Sequence, residues 1–381
     1  MMTSNRKLPI GIQDFEKLRT ENYIYVDKTQ YLYNLAVLSV PCFLGRPRRF
    51  GKSLFLSTLK AYFLGKKELF NGLAIAGLEK DWIEYPVFHL DMNVESYIGL
   101  DSLDKALNTN LEKLEKIWGK EPLETTPASR FLGLIQRACE QTGRKVVVLV
   151  DEYDKPLVST MDNAEVNEES RKILKGFYGI LKSADASLRF VLLTGVTKFS
   201  KVSIFSDLNQ LQDISMNEQF SGICGITEME LVENFQPEIT ALAEKQELTY
   251  EETLGKLKKQ YDGYHFCKNS EDIYNPFSLL NTFSAKEFKD YWFETGTPTF
   301  LAKMLKDIDF DIKTMENDLP FPVRSITDYQ IGYGNPVPLL YQSGYLTIKD
   351  YDKQLDEYIL GYPNEEVKYG FMKQKNCTGG G

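Results

Sequence analysis

Two rhythms of apolar and polar residues divide this chain. Through roughly the first 200 residues, short apolar runs alternate with stretches of helical period, the pattern of a parallel sheet flanked by helices. Pro41–Leu44 predicts a strand that ends in a loop at Gly45–Gly51, and Lys52–Leu64 predicts an unbroken helix after it. Pro86–Met92, Lys145–Val150 and Ser187–Thr194 predict three more strands. Lys145–Val150 is apolar nearly throughout, as a strand buried on both faces requires. Helices are expected around Leu103–Trp118 and Ala164–Ser183. Beyond about residue 225 the chain reads as mainly helical. Thr227-x-x-Glu230 and Thr249-x-x-Glu252 are capping boxes, and Asn275-Pro276 and Thr297-Pro298 are cap-then-proline helix starts. Tyr345–Tyr351 and Glu357–Tyr362 flank a polar turn and predict a hairpin.

The chemistry concentrates at two places. RPRRFGKS, Arg46–Ser53, lies between a strand and a helix, where free backbone N–H groups make a phosphate cradle. In G-x-x-x-x-G-K-[ST], Gly51 lets the backbone close, Lys52 reaches the β- and γ-phosphates, and Ser53 ligates Mg²⁺. Pro47, Arg48, Arg49, Phe50 and Leu54 complete the expected nucleotide-binding segment. Arg46 occupies the first glycine position, and the nearest glycine, Gly45, comes one residue early. A bare Gly-Lys-Ser/Thr triplet arises by chance in about one chain in five of this length, so the flanking strand and helix carry the reading. VVVLVDEYDKP, Val146–Pro156, supplies the acidic partner. Asp151 at the strand end is expected to hold the Mg²⁺ shell, and Glu152 to act as the base for an attacking water. Asp154 is open between a supporting carboxylate and a turn residue. Thr194 ends the next strand and is a candidate γ-phosphate sensor, with Lys198 a weaker one against a plain surface lysine.

Composition narrows the remainder. With 381 residues, two or three domains are expected: 1–225, 226–296 as a lid-like region, 297–368 as a helix-plus-hairpin module similar to a winged helix, and a 369–381 tail. No apolar run reaches the roughly 18–20 residues of a membrane span, and the N-terminus has no apolar signal core. The five cysteines are scattered without CxxC spacing. Together these predict a cytoplasmic protein with free thiols. Two histidines exclude a His-rich metal site, so any metal is held by oxygen. His265 reads as a satisfied structural histidine, and runs such as Tyr62-Phe63 and Tyr291-Trp292-Phe293 as core. The net charge of −9 opposes nucleic-acid binding by the whole surface. Residues 297–368, with seven Lys/Arg against twelve Asp/Glu, are a poor footprint for DNA, so packing or docking of an unidentified protein partner is favoured there.

These motifs resemble the AAA-ATPase-like proteins common in gut bacteria, which often carry a C-terminal PD-(D/E)-x-K nuclease-like domain. The similarity runs through LPIGIQDFEKL from Leu8, YVDKT at Tyr25–Thr29, RPRRFGKS, LVDEYDKP and LTGVTKFSKVSIFSDLNQLQDIS. It continues in YDGYHF at Tyr261–Phe266, YNPFSLL at Tyr274–Leu280 and YWFETGTPTFL at Tyr291–Leu301. It implies that arginine in the first glycine position is ordinary, and that Tyr25–Thr29, with Asp27 and Lys28, lies near the adenine or ribose. ATP and Mg²⁺ are the implied ligands. The chain departs from the pattern after the hairpin, where it reads as truncated. Its E-x-K, Glu366-Val367-Lys368, is expected to be a solvated loop, so nuclease activity is not carried over. Three readings follow: an ATP-hydrolysing switch, a P-loop kinase, and a nucleotide-regulated nucleic-acid or partner-binding module. A kinase would need a lid with several arginines, and the second half offers only Arg324.

Overall fold

The protein is described by a computed structural model over residues 6–38, 40–198, 211–296, 319–326 and 335–378. Five strands, β1 (Cys42–Gly45), β2 (Val87–Asp91), β3 (Val146–Asp151), β4 (Leu188–Gly195) and β5 (Gln212–Asp213), form one parallel sheet in the order β2-β3-β4-β1-β5. All six residues of β3 are buried, as its apolar run demands. The order matters for function because β1, which leads into the glycine loop, and β3, which ends in the acidic pair, flank β4. Leu44 pairs with Thr194 and Val150 with Leu193, so both motifs emerge at one edge of the sheet. Helices Lys52–Phe63, Ser102–Trp118, Pro127–Thr142 and Ala164–Ser183 flank the sheet, the last with its expected limits. The chain thus has a P-loop-type α/β fold. Strand β5 has no apolar signal. It exists because Gln212 N–H donates to Pro41 O at 2.8 Å and Ile214 N–H to Phe43 O at 2.9 Å.

In the second half both threonine capping boxes form, opening Glu228–Gln246 and Tyr250–Tyr261, and Asn275 caps Pro276–Ala285. The start at Thr297-Pro298 and the Gly379–Gly381 tail lie outside the described residues. The hairpin is part of something larger. Strands β7 (Thr347–Asp352) and β8 (Glu357–Gly361) are joined by β6 (Leu319–Pro322), giving an antiparallel order β6-β8-β7. The two prolines of β6 argue against a strand in sequence and are accommodated because it lies at an edge. No helix among the described residues is long and apolar enough to cross a membrane.

The largest apolar cluster runs from β1, β3 and β4 through Tyr264, Trp292 and Tyr345 to Leu360 and Phe371. Trp292 and Tyr345 rings lie 5.2 Å apart within it, so Trp292 and Phe293 are core as expected. A second cluster joins Ile24 to Leu231, Phe235, Leu257, Leu279 and Phe283.

One expectation is overturned here. Glu366 is not in a solvated loop: it is 0% exposed, on the first turn of the helix Glu365–Thr378. Its carboxylate accepts from Ser278 Oγ at 2.8 Å and from Trp292 N–H at 2.7 Å, tying the end of the chain to two earlier helices. The E-x-K spacing gave no sign of this, because its partners lie 88 and 74 residues away. Burial pushes the Glu366 carboxyl from its ordinary 4.5 up to about 8. Its folded pKa is raised, so its contribution is full below about pH 4.5 and is lost as pH rises through about 8. Glu366→Gln keeps an acceptor for Trp292 and a group for Ser278 without the buried charge. Its melting temperature should rise relative to wild type by several degrees between pH 5 and pH 9. A difference that stays constant across that range would contradict this account.

Candidate functional site

The glycine loop is gripped on its outer side before any ligand is considered. Arg46 N–H extends the ladder to Gly195 O at 3.1 Å, while its side chain turns inward and is 1% exposed. There Nη1 donates to Gly45 O and Ser215 O at 2.9 and 2.7 Å, and Nη2 to Phe220 O and Ser221 O at 3.0 and 3.2 Å. The Phe266 ring lies 4.1 Å from the guanidinium carbon. Arg46 therefore anchors the loop and does not face a phosphate. Pro47 packs under Gly344, whose φ of +87° and close approach leave no room for a side chain. Arg48 O accepts from Trp292 Nε1 at 3.0 Å, and the Arg49 guanidinium lies 4.1 Å from the Phe277 ring. Phe50 is buried edge-on against Tyr264 and Phe266.

Gly51, at φ +96°, then turns the chain into the helix Lys52–Phe63. Lys52 is 5% exposed and its ammonium donates to Arg46 O at 2.9 Å and Pro47 O at 3.0 Å. These are neutral acceptors, and a phosphate oxygen would replace them with a charge-assisted bond. Lys52, Ser53 and Leu54 line a cavity of about 480 Å³. That is within the size range of small-molecule sites.

The acidic end of β3 meets this cavity from the other side. Asp151 is 6% exposed and accepts from Thr194 Oγ1 at 2.8 Å. Thr194 is fully buried, so its hydroxyl orients Asp151 from within the sheet and does not open to the cavity. Glu152 takes φ +52°, a left-handed conformation that costs a non-glycine residue about 1–3 kcal/mol, and lines the cavity. Asp154 is committed elsewhere: one oxygen accepts from Val196 N–H at 3.0 Å and Thr197 N–H at 2.7 Å, latching the ends of β3 and β4 together. Burial raises its carboxyl to about 6. Lys198 pairs with Asp213 at 2.9 Å. The Cys224 thiol, on the cavity wall, lies within electrostatic reach of Arg46, Lys52, Lys28 and Asp151, which marks how closely these groups converge. Among the described residues, no cluster of three or more His, Cys, Asp or Glu could hold a metal. Ser53 lines the cavity while Asp151 is not among its lining residues; each offers the oxygen type that Mg²⁺ takes.

The implied Tyr25–Thr29 segment is split by the structure. Tyr25, Val26 and Lys28 line the cavity. Asp27 instead turns away to backbone groups, accepting from Thr29 N–H at 2.8 Å at the start of the helix Thr29–Ala36, and from Ala74 N–H at 2.7 Å. Lys28 is 8% exposed and donates to both oxygens of Glu230 at 2.6 Å. Phe277, Leu280 and Asn281 bring the second half to the cavity wall, and Glu230 stands behind Lys28 as its partner. Glu230 carried a signal only as a capping-box residue, and that role is also real, since Thr227 N–H donates to it at 2.8 Å. His265 is structural: its Nδ1 lies 3.0 Å from Asp272 Oδ1, and its backbone bonds Thr347.

Comparison with known proteins gives the chain a family. The family model described as "Predicted AAA-ATPase" matches residues 9–205. A protein from Azotobacter chroococcum mcd 1, described as an uncharacterized protein in the vnfD 5' region, is 38% identical over 369 residues, covering 96% of this chain and 69% of its own. Among solved structures, the Aeropyrum pernix ORC2 protein in its ADPNP–ADP complexes aligns over 95% of this chain and 94% of its own. Its identity is 11% and its TM-score 0.32, a likeness too loose to bear on function. A glycine-lysine-serine loop and an acidic strand end flanking one central strand, together with a family match over half the chain, lead to one conclusion: this chain belongs to the predicted AAA-ATPase family.

Proposed function

We propose that this chain binds Mg²⁺-ATP in the cavity at Lys52 and Ser53, hydrolyses it, and uses the nucleotide state to set the position of its second half. The observation that carries this reading is the convergence of Lys52, Ser53 and Glu152 on one cavity whose far wall comes from Ile226, Phe277 and Leu280. In this reading the backbone of residues 48–52 and the Lys52 ammonium hold the β- and γ-phosphates. Ser53 Oγ and the Asp151 carboxylate hold Mg²⁺, which when bound neutralises charge on the phosphate oxygens. Thr194 keeps Asp151 aimed. Glu152 accepts a proton from water as the water oxygen bonds to the γ-phosphorus. The bond to the β,γ-bridging oxygen breaks, and ADP leaves with that electron pair. The kinase reading is disfavoured, because the cavity walls from the second half contribute no arginine among the described residues.

Coupling to the second half follows from the grip on the loop. Trp292, Phe277 and Gly344 each touch a different loop residue, so a loop that rearranges around phosphate moves against all three. ATP can shift such an equilibrium only through its differential affinity for the two arrangements, and γ-phosphate contacts are a sufficient source of it.

Lys52→Ala should weaken ATP binding at least tenfold, in line with the ~1.5–3 kcal/mol of a hydrogen bond to a charged group. Titration calorimetry reads this directly, and unchanged affinity would remove the loop from the proposal. Glu152→Gln should bind ATP normally while turnover falls by roughly 10²–10⁴. Wild-type hydrolysis by that variant would transfer the base role elsewhere. Hydrogen exchange of the same variant should differ between ATP and ADP within residues 261–280. If only residues 46–53 respond, the second half is a passive wall.

A further inference from the structure

Charge is distributed unequally on the wall of the nucleotide cavity. Five cations line it, Lys28, Arg48, Arg49, Lys52 and Lys155, against one carboxylate, Glu152. The chain as a whole carries −9, so this excess is built locally. Three of the five are engaged within the protein. Lys28 is paired with Glu230, Arg49 lies over the Phe277 ring, and Lys52 donates to the carbonyls of Arg46 and Pro47. Arg48 and Lys155 are half-buried, and among the described residues neither side chain has a carboxylate within ion-pair distance. Their placement is specific. Arg48, Lys155 and Glu152 also line a small pocket beside Trp292, so the three residues meet where the two spaces adjoin. The turn after β3 holds Lys155 there: Glu152 takes φ +52°, and its carbonyl accepts from Lys155 N–H at 2.9 Å. Arg48 is held from the second half, its carbonyl accepting from Trp292 Nε1 at 3.0 Å. Burial, with repulsion from Arg48 added, pulls the Arg49 guanidinium below its ordinary value, so these like charges are close enough to feel one another.

Position relative to Glu152 decides which part of a polyphosphate these two cations meet. Lys52 and the loop backbone serve the β- and γ-phosphates from the loop side, and Glu152 marks the side from which water attacks. In that attack the water oxygen bonds to the γ-phosphorus and its proton goes to Glu152. The bond to the β,γ-bridging oxygen breaks, and its electron pair leaves with ADP. Negative charge meanwhile spreads over the three equatorial oxygens of the transferring group. We propose that Arg48 and Lys155 are catalytic residues that neutralise this charge, so that one chain completes its own site without an arginine from a neighbouring copy. Neither exchanges a proton in the step. The role presupposes the ATP hydrolysis proposed above.

Arg48→Gln and Lys155→Gln each remove one charge and keep a polar side chain, while Lys155→Arg keeps the charge. All are tested in the full chain with Mg²⁺ present. In single-turnover hydrolysis each glutamine variant should lose roughly 10²–10³ in rate with ADP affinity unchanged, and Lys155→Arg should keep most of the rate. The wild-type rate per chain should stay constant as the protein is diluted. Wild-type rates in both glutamine variants would overturn the role. So would a loss of ADP affinity as large as the loss of rate, which marks plain phosphate binding. A rate per chain that falls on dilution would overturn the single-chain clause. If the wild type hydrolyses no ATP, the hydrolysis reading fails, and ADP with aluminium fluoride, a stand-in for the transferring phosphoryl group, still decides whether the two cations meet that group. The wild type should hold this complex roughly a hundredfold or more tighter than ADP alone, and the glutamine variants should lose that gain. No gain in the wild type, or a gain that the variants keep, would overturn the assignment of Arg48 and Lys155.

Discussion

The Arg46 guanidinium is sealed inside the protein, and the shape of the glycine loop depends on it. An unpaired charge there would cost several kcal/mol. Four backbone carbonyls on two segments and the face of Phe266 remove that cost by surrounding it with acceptors and a π-surface. The same contacts pin the start of the loop to Ser215, Phe220 and Ser221, next to β5, and to the second half through Phe266. A glycine at this position would leave those carbonyls without their donor. Arginine in the first glycine position is thus no defect in a phosphate cradle. It moves the work of shaping the loop from backbone flexibility to a buried tertiary anchor.

With the loop's first residue fixed, the rest is held from outside by Gly344, Trp292, Phe277 and Tyr264, all from the second half. The loop is consequently shared between the two halves of the chain. Its inner side offers Lys52 and Ser53 to the cavity, and its outer side is part of the packing that Trp292 and Tyr345 extend toward the C-terminal sheet. Glu366 closes that circuit by holding Ser278 and Trp292 together. A molecule built this way cannot rearrange its phosphate loop without disturbing contacts in the second half, which is the physical basis for the proposed switch.

The sheet edge at the candidate site shows a division of labour among four closely spaced polar groups. Thr194 and Asp154 are spent on structure, one orienting Asp151 and the other latching the ends of β3 and β4. Glu152 is left facing the cavity in a strained backbone conformation. Strain at a single residue between two well-bonded neighbours is the pattern expected where side-chain direction matters more than local stability.

Much of this was legible in the residues themselves. The apolar runs located β1 to β4, the threonine boxes located two helices, and the Gly-Lys-Ser and Asp-Glu motifs marked the candidate site, because each depends on neighbours within a few positions. What sequence could not disclose depends on partners far along the chain. Strand β5 exists only against β1, β6 only as an edge on β8, and the Glu366 carboxylate is held by residues 74 and 88 positions away. Asp27 and Lys28 look equally exposed as letters, yet one bonds backbone N–H groups and the other faces the cavity paired to Glu230, across 202 residues. Sequence by itself determined the fold class and which residue types stand at the candidate site, since periodicity and short-range spacing dictate them. Only tertiary packing decided which polar side chains stay available for chemistry, because that depends on whether a distant donor or acceptor has already taken them.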